Sequence, residues 1–240
     1  MRIREKILLD KDGLVRYGAI NVVIFGDSVS HGAINGYQDY ENVYWNRLKK
    51  KLNKFRDYVP VNMINSAIGG TTAKQSLKRL DSQVLRFMPD LVIVCFGLND
   101  ANGELEDYTN ALGEIFKRCK ASGAEVVFMT PNMLNTRVAE DTPRGLVEYA
   151  KKTCAIQNGG KMDEFMRTAL AVAKDMGVTV CDCYSKWKAL SESRDITELL
   201  ANRINHPTPE MHELFAEELY RVIMGDSENT VNSESTMFVD

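Results

Sequence analysis

Short apolar runs rich in β-branched residues alternate with stretches of helical periodicity along most of this chain, and that alternation admits few folds. Residues 21–25, 59–64, 90–96, 125–130 and 178–182 read as strands. Between and after them, residues 42–55, 72–87, 103–122, 162–176 and 211–224 read as helices, each with an apolar stripe. In the first of these, Tyr44, Leu48, Leu52 and Phe55 share one face while Arg47, Lys49, Lys50 and Lys51 fill much of the rest. Gly26, Pro89, Gly123, Pro131 and Gly177 punctuate the pattern. The third run holds Leu-Val-Ile-Val-Cys-Phe without a polar break, which suits a strand buried on both faces. Strands separated by helices predict an α/β fold with a five-stranded parallel sheet covered on both sides. We read one domain over residues 1–225 and a polar tail over 226–240.

Bulk properties narrow the function. A chain of 240 residues can bury a substantial core, and a net charge of −3 gives no electrostatic case for binding nucleic acid. No apolar run reaches the roughly 18–20 residues of a membrane-spanning helix. Residues 1–12 are charged and lack the apolar stretch of a secretory leader, so the expected location is cytoplasmic. The five cysteines are scattered without metal-type spacing, and Cys181 and Cys183 read as small buried hydrophobes. We expect no metal, no cofactor and no membrane partner; a homo-oligomer stays open.

In open parallel sheets, ligands sit beyond the carboxyl ends of the strands. Polar residues cluster there in this chain. Gly26-Asp27-Ser28 follows the first strand, Asn65-Ser66-Ala67-Ile68-Gly69-Gly70 the second, and Gly97-Leu98-Asn99-Asp100 the third. A serine at such a turn is either a helix cap or a nucleophile awaiting a base. Gly69-Gly70 can bring a backbone N–H close to a substrate, and Asn99 can offer its side-chain amide to a developing oxyanion. Three histidines are available as the base. His206 lies in a loop stiffened by Pro207 and Pro209 and is the best placed. His31 reads as a bystander and His212 as a packing or capping residue. The segment between Pro131 and Lys161, with a loop over 140–145, a short helix over 146–155 and a turn at 158–160, is where substrate-binding loops belong.

Together, Gly26-Asp27-Ser28, Asn65 to Thr71, Gly97-Leu98-Asn99-Asp100 and His206-Pro207 resemble the four ordered blocks of the SGNH, or GDSL-type, hydrolases. The resemblance runs from about residue 20 to residue 222. It implies a flavodoxin-like three-layer α/β/α sandwich and a serine ester hydrolase with Ser28 as nucleophile and His206 as base. It also implies an oxyanion hole of the Ser28 and Gly70 N–H groups with the Asn99 side chain. One departure stands out: the family places an Asp three residues before the histidine, where this chain has Arg203. Asn202, Asn205 and a backbone carbonyl are uncharged candidates for the third role, and Asp182 a more remote acidic one. The expected substrate is a small ester, with acetyl groups on a carbohydrate foremost. Alternatives are a thioesterase or lysophospholipase of the same fold, a binding module that has lost turnover, and a metal-dependent hydrolase using Asp27, Asp100 and His206.

Overall fold

The computed structural model describes residues 1–55 and 59–225, so the polar tail lies outside the described residues. Its strands are β1 (Ile20–Gly26), β2 (Val61–Asn65), β3 (Leu91–Cys95), β4 (Glu125–Met129) and β5 (Thr179–Cys181). They form one parallel sheet in the order β2-β1-β3-β4-β5. The helices, in chain order, are α1 (Ile3–Ile7), α2 (Lys11–Tyr17), α3 (Ser28–His31), α4 (Tyr44–Phe55), α5 (Ala73–Ser76) and α6 (Leu80–Gln83). After them come α7 (Leu105–Ala121), α8 (Val147–Asn158), α9 (Lys161–Asp175), α10 (Cys183–Ser191) and α11 (His212–Met224). No helix among the described residues is long and apolar enough to cross a membrane.

The three-layer sandwich follows from the strand composition. Every residue of β3 is buried, as its unbroken apolar run requires, and β1 is buried except at Asn21. Helices α4 and α11 pack together on one side of the sheet, and α7 and α9 on the other. Phe25 meets Phe96 edge-on at 5.2 Å between ring centres, and Phe116 meets Phe128 at 5.5 Å. Full burial of one such side chain stabilises the fold by about 1.5–3 kcal/mol. The chain enters the sheet at β1, adds β2 on one side, then crosses to place β3 on the other. The reversal between β1 and β3 opens a crevice at their carboxyl ends.

Residues 72–87 do not form the single helix that their periodicity predicts. They break into α5, a 3-10 turn at Leu77–Arg79, α6 and a second 3-10 turn at Leu85–Phe87. The cause is tertiary. Half-buried Arg79 turns inward, lies 4.7 Å from the centre of the Phe25 ring, and donates to the Ser66 and Gly26 carbonyls. Ser66 Oγ donates to the Gln83 carbonyl at 2.5 Å. These bonds occupy groups that a continuous helix would have turned elsewhere. Helices α1, α2 and α10 were not expected from the sequence. Two of them carry a readable N-cap: Asp10 accepts from Gly13 N, and Asp182 from Ser185 N.

Candidate active site

Ser28 owes its position to the two residues before it. β1 ends at Gly26, where a β-carbon would stand 2.6 Å from the Cys95 carbonyl oxygen and 2.4 Å from Ser30 Oγ. Only glycine lets the strand finish so close to β3 and turn at once. Asp27 then caps α3, accepting the Val29 N–H at 3.1 Å. This carboxyl group is fully enclosed. Burial pushes its pKa up to about 7, with a smaller push from Asp100, against the pull of the Val29 N–H. The helix lasts four residues before Gly32, at φ +92°, turns the chain away. Ser28 is its first residue, 8% exposed, and its N–H donates to no acceptor among the described residues.

The loop carrying His206 reaches Ser28 from the opposite end of the sequence. His206 Nε2 lies 3.0 Å from Ser28 Oγ, and Nδ1 lies 2.9 Å from the Ile34 carbonyl oxygen. A carbonyl oxygen can only accept, so Nδ1 carries the proton and Nε2 presents its lone pair to the serine hydroxyl. That is the tautomer a general base needs. Burial lowers the His206 pKa, and the bond to Ile34 offsets part of that. The imidazole therefore stays neutral at pH 7.

None of the three side chains considered for the third role hydrogen-bonds to the imidazole. Asn202 instead organises the loop backbone: its Oδ1 accepts the N–H groups of Ile204, Asn205 and His206 at 3.1, 3.0 and 3.0 Å. Its Nδ2 donates to Asn205 Oδ1 at 2.9 Å, so Asn205 is a strut for Asn202. Asp182 is engaged elsewhere, accepting from Thr130 Oγ1 at 2.9 Å and from Ser185 N at 3.2 Å. Arg203 adopts φ +61° and sends its guanidinium outward to Asp141 and Glu198, each at 2.9 Å. The group that holds the ring is the Ile34 carbonyl, which no side-chain pattern encodes. Asn132 was also missed; its Nδ2 donates to the Asn205 carbonyl at 3.0 Å and ties the loop to the end of β4.

Gly69 and Gly70 stand beside the serine. A β-carbon on Gly69 would lie 3.5 Å from Ser28 Cβ and 3.8 Å from His31 Nδ1. Thr71 N donates back to the Ile68 carbonyl at 3.4 Å, closing a turn with Gly70 at φ +76° in its third position. The Gly70 N–H, like that of Ser28, meets no acceptor among the described residues. Asn99 Nδ2 donates one hydrogen to the Thr71 carbonyl at 3.1 Å, which fixes the amide and leaves its second hydrogen available. Asp100 fastens this wall by accepting the Ala73 N–H at 2.9 Å, and burial raises its pKa to about 6.

The remaining candidates take structural places. His212 is buried, stacks on Tyr44, and accepts the Tyr44 N–H at 3.3 Å, capping α4 from a distant part of the chain. His31 Nε2 lies 3.3 Å from Tyr40 Oη. Cys181 and Cys183 are buried free thiols with sulfurs 3.6 Å apart, one ending β5 and the other opening α10. Among the described residues no group of three or more His, Cys, Asp or Glu side chains is placed to hold a metal ion.

Comparison with known proteins bears on the fold and the family. The model of the GDSL-like lipase/acylhydrolase family matches residues 24–214. The protein named "Uncharacterized lipoprotein YqeF" of Bacillus subtilis (strain 168) is 32% identical over 85 residues, 35% of this chain. The match spans about a third of that curated relative's length (33%). Among solved structures, the acetylxylan esterase Axe2 of Geobacillus stearothermophilus superposes with a TM-score of 0.67 at 18% identity, over 85% of this chain and 94% of its own. LAE5, an alpha/beta hydrolase enzyme from the metagenome of Lake Arreo, Spain, gives 0.67 at 19% identity, over 86% and 97%. At such identities these two speak for the fold; the family match, which covers most of the chain, settles the kinship. The chain belongs to the GDSL-like lipase/acylhydrolase family, a family of serine ester hydrolases.

Proposed function

We propose that this protein hydrolyses small carboxylic esters through a Ser28–His206 dyad, removing acetyl groups from a carbohydrate or a similar polar alcohol. The observation that carries the reading is the 3.0 Å separation of His206 Nε2 and Ser28 Oγ, with Nδ1 held in the proton-bearing tautomer. In the first step Nε2 takes the hydroxyl proton as Ser28 Oγ attacks the ester carbonyl. The oxyanion that forms is met by the N–H groups of Ser28 and Gly70 and by the spare hydrogen of the Asn99 amide. The imidazolium then gives its proton to the leaving alcohol, which departs and leaves an acyl-serine. Water, deprotonated by the same imidazole, attacks that ester, and the imidazolium returns the proton to Ser28 Oγ as the acyl bond breaks and the acid is released. The Ile34 carbonyl supports the imidazolium by its dipole alone, where a carboxylate would add a full charge. Losing one oxyanion donor costs on the order of 10²–10³ in rate, so the hole carries much of the catalysis.

Acetyl and carbohydrate rest on the likeness to a protein named as an acetylxylan esterase. Arg203 in place of the usual acid favours one other reading, a binding module without turnover. Hydrolysis of p-nitrophenyl acetate by the wild type and by Ser28→Ala separates the two. The esterase reading expects turnover that Ser28→Ala abolishes; equal rates for the two proteins would discard it. A series of acetyl, butyryl and longer esters then sets the acyl length, and a preference for long chains would replace acetyl with a lysophospholipase-type substrate.

A further inference from the structure

Tyr37 and Tyr40 leave about half of their surface in solvent, 54% and 49%, and both belong to the loop that begins where the nucleophile's helix ends. That loop holds its shape without the two rings. Ala33 bridges Gln38 in antiparallel fashion, Ile34 N donates to the Tyr37 carbonyl at 2.9 Å, and Asp39 N donates to the Gly32 carbonyl at 2.8 Å. Asn35 and Gly36 turn the corner, with Gly36 at φ +79°. The Asp39 carboxylate accepts from Glu41 N, Asn42 N and Asn42 Nδ2 at 3.1, 2.9 and 2.8 Å, fastening the far end. The aromatic rings are thus displayed on a frame built from other groups.

The frame is also part of the site. Its Ile34 carbonyl holds the His206 ring. Tyr40 Oη lies 3.3 Å from His31 Nε2, and His31 Nδ1 would be 3.8 Å from a β-carbon on Gly69, itself 3.5 Å from Ser28 Cβ. Tyr40, His31, Gly69 and Ser28 therefore form one continuous strip. Ile68, 42% exposed, adjoins it. Exposed aromatic rings, one of them with its hydroxyl beside the His31 imidazole, suit a ligand that is apolar on its face and polar at its edge, as a pyranose ring is.

We propose that Tyr37 and Tyr40 bind the alcohol half of the substrate, a carbohydrate ring laid against them so that its acetyl group reaches Ser28. This rests on the esterase reading above and adds where the sugar sits. The test compares acetylated methyl xyloside with methyl acetate, for the full chain and for Tyr37→Ala/Tyr40→Ala and Tyr37→Phe/Tyr40→Phe. In the alanine pair the KM for the xyloside should rise at least tenfold more than that for methyl acetate, while the phenylalanine pair, which keeps the rings and loses only the hydroxyls, should raise it less than the alanine pair does. A thermal melt of each variant shows whether it is folded. Equal changes on both esters, no change on either, or a wild type that does not prefer the xyloside would overturn the proposal. So would an alanine pair that instead loses its discrimination between acetyl and butyryl esters. Failure of the esterase reading looks different: Ser28→Ala would then turn over methyl acetate as fast as the wild type.

Discussion

In the proposed dyad the third role falls to a main-chain oxygen, and single residues bear the consequences. Because Nδ1 of His206 is already satisfied by Ile34, an acid restored at the family position has no vacant partner. Arg203→Asp should change kcat/KM by less than about threefold, while releasing the ion pairs to Asp141 and Glu198. A tenfold gain would mean that a carboxylate displaces the carbonyl. Asn202 matters more. Asn202→Ala deprives two buried N–H groups and one half-buried one of their acceptor, each a loss of about 1–3 kcal/mol where water does not replace it. We expect a lowered Tm and a kcat reduced roughly tenfold or more with KM little altered, since the loop that aims His206 loosens; an unchanged kcat would separate loop order from catalysis. The acid limb of kcat/KM should have its midpoint below 6.5, because burial lowers the His206 pKa and the base must be neutral to act. A midpoint above 7 would point to a charge near the ring that the structure lacks.

At the level of elements, the sequence foretold what depends on local pattern. The five strands and the long helices came from periodicity and from Gly and Pro stops, because a buried parallel strand and an amphipathic helix leave different spacings. The break in residues 72–87 was hidden, since it is made by Arg79 reaching across to Phe25 and to the carbonyls of Ser66 and Gly26, all distant in sequence. The junction of β1 and α3 gives a prediction at this scale. Gly26→Ala places a methyl group against the Cys95 carbonyl, a backbone atom that cannot swing aside. It should destabilise the protein by about 1–3 kcal/mol or more and displace Ser28. Denaturant melts and turnover measured together check this; full activity with native stability would show that the strand end can shift.

Over the whole molecule, the site was legible in its parts and hidden in one joint. Ser28, Gly70, Asn99 and His206 lie on separate strand ends and a late loop; the rule that ligands gather beyond carboxyl ends pointed to those segments, and the resemblance to GDSL-type hydrolases picked the four residues out of them. The Ile34 carbonyl could not be read, because every residue has one and only folding selects which points at the ring. Titration of the interior is likewise a property of the fold. His212 takes a proton near 6.5 when unfolded and only near 3 when buried, so acid between those values favours unfolding by about 1.4 kcal/mol per pH unit. Asp27 acts in the opposite sense: its carboxyl stays protonated in the fold to about pH 7, so rising pH between 3.8 and 7 favours unfolding. His212→Gln removes the first effect alone. Its Tm should therefore gain on the wild type as pH falls from 7.5 to 4.5, and a constant difference would show that His212 titrates normally.

The dyad itself is tested most directly by covalent capture with a fluorophosphonate, read by peptide mass spectrometry. The account predicts a single adduct on Ser28 in the wild type, none in Ser28→Ala, and labelling slowed by at least a hundredfold in His206→Ala. An adduct on another residue, or one that forms on Ser28 equally fast without His206, would contradict it.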